Sequence, residues 1–298
     1  MSYSRVVVVG IDGAGSFIEA ADTPNFDRIF AEGAVTYRAM SCFPTISAEC
    51  WGAMLLGVGP EIHKLTNEIV VHETYPSDAK YPTLFKRIRQ AKPEAVMGSF
   101  CAWPALCRGL RETDIGVAWD GTYPDALLNP KICDFIREEK PDFFFIQYNT
   151  VDGEGHRQGY QSPKYMQQIH DVDALFGQVY DTLEKEGMLE DTLLLVIADH
   201  GGVDNTHGGW SDAEKYVTFA ARGKNVRKGA VPNMNIRDLA AIVLYAFGIE
   251  RPEIDENGWT SQIPDGLFDD PDIPAYRYMD FPGAAPRISK ESTKSQLL

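Results

Sequence analysis

No apolar stretch in this chain approaches the ~20 residues that a membrane-spanning helix needs, so no membrane is expected as a partner. The opening Met1-Ser2-Tyr3-Ser4-Arg5 leads into an apolar run of only about six residues, too short for a signal-peptide core. Cysteine is sparse and odd in number, five in all, with no C-x-x-C spacing. That pattern speaks against a disulfide framework or a zinc knuckle and for reduced thiols in a cytoplasmic protein. Positive charge is also short: 28 Lys and Arg face 43 Asp and Glu, a formal net charge of −15. Such a surface repels nucleic-acid backbones and anionic lipid, which excludes a general binder of either. A small phosphorylated substrate stays open, because bound dications would dominate the field inside a cleft. The chain carries no internal repeat and no low-complexity segment.

What is present is a globular composition, 44% hydrophobic and 24% charged, over 298 residues. That length suits one large α/β domain spanning 1–298. Apolar runs at 6–11, 95–100, 143–148, 192–198 and 217–221 read as buried strands, and 37–40 reads as a further strand. Between them lie helical stretches at 24–30, 48–56, 82–91, 125–138, 165–187 and 236–247. Thr23 reads as an N-cap before Pro24, and Gly33, Gly57 and Gly248 close helices. Ile169, Val172, Leu175, Phe176, Val179 and Leu183 mark one buried face of the longest helix. Near-continuous apolar strands alternating with amphipathic helices predict a mostly parallel central sheet covered on both faces. Residues 68–130 are the least regular and read as a small cap near the site. Residues 252–298 read as a C-terminal arm, wrapped on the surface or ordered on a partner such as a second copy.

Three predicted strands end on groups that bind metals. One ends on Asp12, one empties into Asp152-Gly153-Glu154-Gly155-His156, and one runs into Asp199-His200-Gly201-Gly202-Val203-Asp204-Asn205-Thr206-His207. Any one of these residues alone reads as a solvated loop group. Six of them (Asp12, Asp152, His156, Asp199, His200 and His207) at the carboxyl ends of strands point to a crevice holding a pair of divalent ions. Gly10-Ile11-Asp12-Gly13-Ala14-Gly15 lacks the G-x-G-x-x-G spacing, and an acid occupies the turn that a pyrophosphate would approach. Ser47 opens a helix of small residues after Phe43-Pro44-Thr45-Ile46, where the helix dipole lowers the cost of an alkoxide. A plain N-cap role for Ser47, and Thr45 as a rival nucleophile, remain open at this level.

The ordered set of motifs resembles the type I phosphodiesterase/nucleotide pyrophosphatase branch of the alkaline phosphatase superfamily. Phe43-Pro44-Thr45-Ile46-Ser47 is similar to its nucleophile segment, and Gly59-Pro60-Glu61-Ile62-His63 through Asn67 to the stretch that follows. Asp152-Gly153-Glu154-Gly155-His156 resembles its D-x-x-G-H, Asp199-His200-Gly201 its D-H-G, and Thr23-Pro24-Asn25-Phe26-Asp27 the superfamily's T-P-N-x-D. The resemblance implies one metal on Asp12, Asp199, His200 and Ser47, and another on Asp152, His156 and His207. It implies Ser47 as nucleophile and Asn67 as a donor to a phosphoryl oxygen. His207 follows closely on Asp199-His200-Gly201, where nucleotide pyrophosphatases place a long insertion, so a stripped version of the fold is expected.

The expected activity is phosphodiester or phosphoanhydride hydrolysis through a phosphoseryl intermediate. Zinc is the metal that the histidine-carboxylate mix suggests, and manganese suits the same ligands. Monoester, phosphonate or sulfate hydrolysis within the same superfamily is the alternative, and a metal-stabilised binding protein the non-enzymatic one. Trp51, Trp103 and Trp119 read as core residues or pocket walls.

Overall fold

The computed structural model describes residues 2–255 and 257–277. Among these, eight strands form one sheet: β1 (Arg5–Ile11), β2 (Ala34–Met40), β3 (Met97–Cys101), β4 (Ala118–Asp120), β5 (Phe143–Tyr148), β6 (Thr192–Ala198), β7 (Tyr216–Arg222) and β8 (Gly229–Ala230). Their order is β4-β3-β5-β1-β6-β7-β2-β8. All neighbouring pairs are parallel except those that β7 makes with β6 and β2. The helices, in chain order, are α1 (Pro24–Phe30), α2 (Ser47–Leu56), α3 (Pro60–His63), α4 (Asn67–His72), α5 (Leu84–Ala91) and α6 (Pro104–Gly109). They continue with α7 (Asp125–Glu139), α8 (Thr150–Gln158), α9 (Pro163–Lys185), α10 (Asp212–Lys215) and α11 (Leu239–Ala246).

The mostly parallel sheet agrees with the α/β expectation, and the side-chain alternation of β5 shows why both its faces are covered. Phe143 packs on Phe85 of α5 and on Phe247 beyond α11, and Phe145 packs on Trp51 of α2. Phe144, pointing the other way, packs on Phe135 of α7. Every residue of β5 and β6 is buried, so Phe143–Ile146 and Leu193–Ala198 read as continuous apolar runs.

Two helix starts depend on distant carboxylates. Thr23 makes no side-chain cap to α1. Instead, the backbone N–H groups of Asn25 and Phe26 donate to Asp173 on α9 at 2.9 and 2.7 Å. In the same way Asp125, the first residue of α7, accepts from the N–H groups of Asn149 and Thr150 at 2.9 and 3.0 Å, and from the Thr150 hydroxyl. Residues 152–156, expected at the end of a strand, therefore lie on a helix, α8, whose first N–H groups are satisfied from α7. We expect Asp125→Ala to cost about 1–2 kcal/mol, the usual worth of a lost cap. A urea-unfolding midpoint equal to that of the wild type would contradict it.

Residues 68–130 supply β3 and β4 to one edge of the sheet together with α5 and α6. The strand expected at 37–40 begins earlier, at Ala34, and the helix expected at 236–247 opens as a 3-10 turn over Ile236–Asp238. Beyond α11, Trp259 is buried against Gly57, with the Thr260 N–H donating to the Gly57 carbonyl at 3.1 Å. The part of the C-terminal arm from 278 to 298 lies outside the described residues.

Candidate metal and nucleophile site

β5, β1 and β6 are neighbours, and their register sets Ile11 level with both Tyr148 and Ala198. The residues that follow are thus delivered to one place: Asp12 from β1, Asp152 from the first turn of α8, and Asp199 and His200 from β6. This is the carboxyl edge of a parallel sheet, where α/β folds gather ligands. β2 runs parallel to β6 across β7, so its end brings the turn before α2, and hence Ser47, to the same edge. Gly13 passes so close that a Cβ there would lie 2.8 Å from the Asp152 Cα, and its φ of +68° also favours glycine.

Each carboxylate has one oxygen engaged by protein donors. Asp12 Oδ2 accepts from the Trp51 indole N–H at 2.8 Å and the Gln147 amide at 2.9 Å. Asp199 Oδ1 accepts from the N–H groups of Gly13 and His200, both at 2.9 Å. Asp152 Oδ1 accepts from the Tyr160 hydroxyl. The remaining oxygens face the imidazoles. His200 Nε2 lies 3.2 Å from Asp199 Oδ2 and 3.7 Å from Asp12 Oδ1, and His156 Nε2 lies 3.3 Å from Asp152 Oδ2.

The three imidazoles are oriented alike. His156, His200 and His207 each set Nδ1 against a backbone carbonyl, of Asn205, Gly201 and Thr45 respectively, at 2.7–2.9 Å. Nδ1 is therefore the donor, and Nε2 of each ring turns inward, where the neutral imidazole offers a lone pair to a metal. His156 Nε2 and His207 Nε2 are 3.2 Å apart, and the rings of His200 and His207 stack at 3.8 Å.

Burial and crowding show in the proton affinities. Burial, then the charge of Asp152, pushes Asp12 up to about 7. Burial, then Asp12, holds Asp199 well above the usual carboxylate range. Burial would raise Asp152 as well, but the hydrogen bond from His156 and the neighbouring His200 and His207 pull it down to about 2. His156 rises to about 9, chiefly through that hydrogen bond, while burial lowers His200 and His207.

Divalent ions fit this arrangement. Asp199 Oδ2 is fully buried with no hydrogen-bond partner among the described residues, a costly state for a carboxylate oxygen unless a cation faces it. Asp12, Asp199 and His200 each offer a ligand atom, all within 4.8 Å of one another, and so do Asp152, His200 and His207. His156 adjoins the second group through its short contacts with Asp152 and His207. His200 thus stands between the two groups.

Ser47 is the first residue of α2, and its Oγ lies 3.2 Å from His200 Nε2 and 3.4 Å from Asp12 Oδ1. Thr45 faces elsewhere. Its hydroxyl donates to the Gly209 carbonyl at 2.9 Å and accepts from the Gly208 N–H at 3.0 Å, joining two loops. Asn67 Oδ1 accepts from the Ala48 N–H at 2.9 Å, and its amide nitrogen donates to no described protein atom.

Several groups around the ligands have no clear signal in the sequence. Trp51, a core residue or pocket wall by sequence, is fully buried and serves Asp12, so it cannot line a substrate wall. Gln147 and Tyr160 are likewise engaged with Asp12 and Asp152. His63 braces α2, its Nε2 donating to the Glu49 carbonyl at 3.1 Å and its Nδ1 accepting from the Leu65 N–H.

The fold is that of the alkaline phosphatase superfamily. The solved structure of an inactive form of murine ectonucleotide pyrophosphatase/phosphodiesterase 5, in complex with AMP, superimposes with a TM-score of 0.69 at 16% identity, covering 85% of this chain and 97% of that one. More narrowly, the type I phosphodiesterase/nucleotide pyrophosphatase family profile matches residues 6–83 and 110–267, and the chain belongs to that family. Human ectonucleotide pyrophosphatase/phosphodiesterase family member 7 is 22% identical over 310 aligned positions, covering 95% of this chain and 63% of its own length. GPI ethanolamine phosphate transferase 2 of Aspergillus fumigatus is 24% identical over 221, covering 71% of this chain and 29% of its own. The chain therefore spans less than two thirds of the length of either relative. Among the described residues, no helix is long and apolar enough to cross a membrane.

Proposed function

We propose that the protein is a two-metal phosphodiesterase or nucleotide pyrophosphatase that works through a phosphoseryl intermediate on Ser47. The position of Ser47 Oγ carries the reading: it stands at a helix start, 3.4 Å from Asp12 Oδ1 and 3.2 Å from His200 Nε2, in the same group of ligand atoms as the partnerless Asp199 Oδ2. Asp12, Asp199 and His200, with Ser47, would hold one ion, and Asp152, His156 and His207 the other. Zinc suits this mixed donor set, as does manganese. When bound, the ions supply positive charge that favours an ionised serine and stabilises charge developing on the phosphoryl oxygens.

The chain's own groups do the rest. Ser47 gives up its proton to solvent and its Oγ attacks phosphorus in line, forming the Oγ–P bond as the bond to the leaving oxygen breaks and that oxygen takes up a proton. Water then cleaves the Oγ–P bond and the serine regains a proton. The free amide nitrogen of Asn67, held by Ala48 next to Ser47, donates to a non-bridging oxygen. Three carboxylates and the serine alkoxide would balance two dications, so the cage is near neutral.

A near-neutral cage favours a singly charged diester over a doubly charged monoester. No arginine lies between Phe43 and Asn67. Arg157, the cation next to His156, is engaged by Glu154 and its side chain is 58% exposed. The expected result is a kcat/KM higher for an aryl phosphodiester than for the matching monoester, at one pH and with one metal. A ratio below one would leave the metal site standing and reassign the activity to a monoesterase. No turnover of phosphodiester, monoester, phosphonate or sulfate by metal-loaded protein would favour a binding protein. Cytoplasmic residence belongs to the same reading, supported by five cysteines that are all free and buried.

A further inference from the structure

We propose that Trp51 is a positioning residue: it fixes the metal-binding Asp12 relative to the nucleophile Ser47, an inference that rests on the metal-site reading above. α2 carries Ser47 at its first position and Trp51 one turn later, so both side chains leave the helix on the same face. The buried indole packs edge-on against Phe145 of β5, at 5.7 Å and 78°, and aims its N–H at Asp12 Oδ2, 2.8 Å away.

A buried indole N–H usually finds some acceptor. Two further observations distinguish this case. First, β1 makes room for the ring: a Cβ at Gly10 would lie 2.4 Å from Trp51 Cη2. Gly10 lies within a strand, and its φ is not in the left-handed region, so the glycine is there for space. Second, the Gln147 amide donates to the same Oδ2 at 2.9 Å, and its orientation is set by the Trp103 N–H donating to Gln147 Oε1 at 3.0 Å. Oδ2 thus holds two fixed donors from two different elements. Only Oδ1 is turned to the cleft, 3.4 Å from Ser47 Oγ.

Asp12 is therefore held as a one-oxygen ligand, and the helix that supplies the nucleophile also aims the carboxylate beside it. Groups that orient a metal ligand in this way typically change metal affinity 10- to 100-fold when removed. Trp51→Phe keeps an aromatic ring against Phe145 and deletes the donor; Gln147→Met deletes the other donor from a different strand. Chelator-stripped wild type and both variants would be titrated with Zn²⁺ in competition with a chromophoric chelator. Each variant is expected to lose about 10- to 100-fold in affinity for one ion, with the second ion unchanged. In ¹⁵N-tryptophan-labelled wild type, the Trp51 indole N–H resonance, identified by its absence in Trp51→Phe, is expected to shift when the first ion is added.

A residue that only fills the core would give neither result. Wild-type affinities for both ions in the two variants, or an indole resonance that ignores Zn²⁺, would overturn the proposal. Loss of both ions to the same extent would assign Trp51 to general packing and overturn it too. A wild type that binds no divalent ion would instead remove the metal-site reading on which the proposal stands.

Discussion

Ser47→Ala is expected to lower kcat by about 10³-fold or more, the scale on which removing a covalent nucleophile is felt. The fold should survive, because among the described residues the Ser47 Oγ hydrogen-bonds only with Asp12 and His200 and caps no N–H group of α2. Thr45→Val is the control, and it has a signature of its own. Deleting that hydroxyl removes the bonds to Gly208 and Gly209 that tie the turn before α2 to the loop after His207. A buried hydrogen bond of this kind costs roughly 1–3 kcal/mol when a partner is left unsatisfied. The valine variant should therefore melt lower yet keep substantial turnover. Separate kcat measurements and thermal melts distinguish the two roles. Full activity in the alanine variant with loss in the valine variant would move the nucleophile to Thr45.

The class of fold was legible because apolar periodicity survives in strands buried on both faces. Val6, Val7, Val8 and Val9 are fully buried, as are Leu193, Leu195, Val196 and Ile197, and no polar residue interrupts either run. The ends of those strands were legible for the same reason, since a polar group directly after such a run must leave the core at the sheet's edge. Asp12, Asp199 and His200 follow β1 and β6 directly, and the structure brings them within ligand distance of one another. The α8 segment was not legible as a helix because two glycines, Gly153 and Gly155, argue locally against one. A carboxylate distant in sequence, Asp125, supplies the cap that overrides them. The same holds for α1, where Thr23 looks like the cap and Asp173 does the work.

The supporting groups were not legible, and the reason is physical. Trp51 sits among Ala48, Cys50, Ala53 and Leu55 in an apolar helix, where the default for an indole is packing. Its polar atom matters only because of where α2 crosses β1, which is tertiary information. Nor does the distance from His200 to His207 in the sequence reveal that their rings stack, because that depends on the hydrogen bond from His207 Nδ1 to the Thr45 carbonyl. Gly10 was visible as a glycine but not as the space for a ring.

Metal removal is expected to destabilise the protein, and Asp199→Asn to reverse part of that loss. A ligand held at 100 times its dissociation constant stabilises the folded state by about 2.7 kcal/mol. Two ions at that level should raise the melting temperature by roughly 10 °C, given the few degrees per kcal/mol seen for domains of this size. Protein purified without chelator should carry close to two equivalents of divalent metal. Without metal, Asp199 is a buried carboxylate beside Asp12 with one oxygen that no described residue satisfies. Asparagine keeps Oδ1 for the N–H groups of Gly13 and His200 and puts a neutral amide in place of the partnerless oxygen. The chelator-stripped variant is therefore expected to melt at or above the chelator-stripped wild type, because a charge has been removed from a crowded, desolvated place. With metal added the order reverses: the variant loses at least one ion, and its gain in melting temperature shrinks accordingly. Melting curves of both proteins, with and without Zn²⁺, together with metal content by elemental analysis, give the crossing or its absence. Equal metal-induced gains in the two proteins would show that Asp199 Oδ2 faces no ion, and the site would then have to be rebuilt around Asp152 and the three histidines.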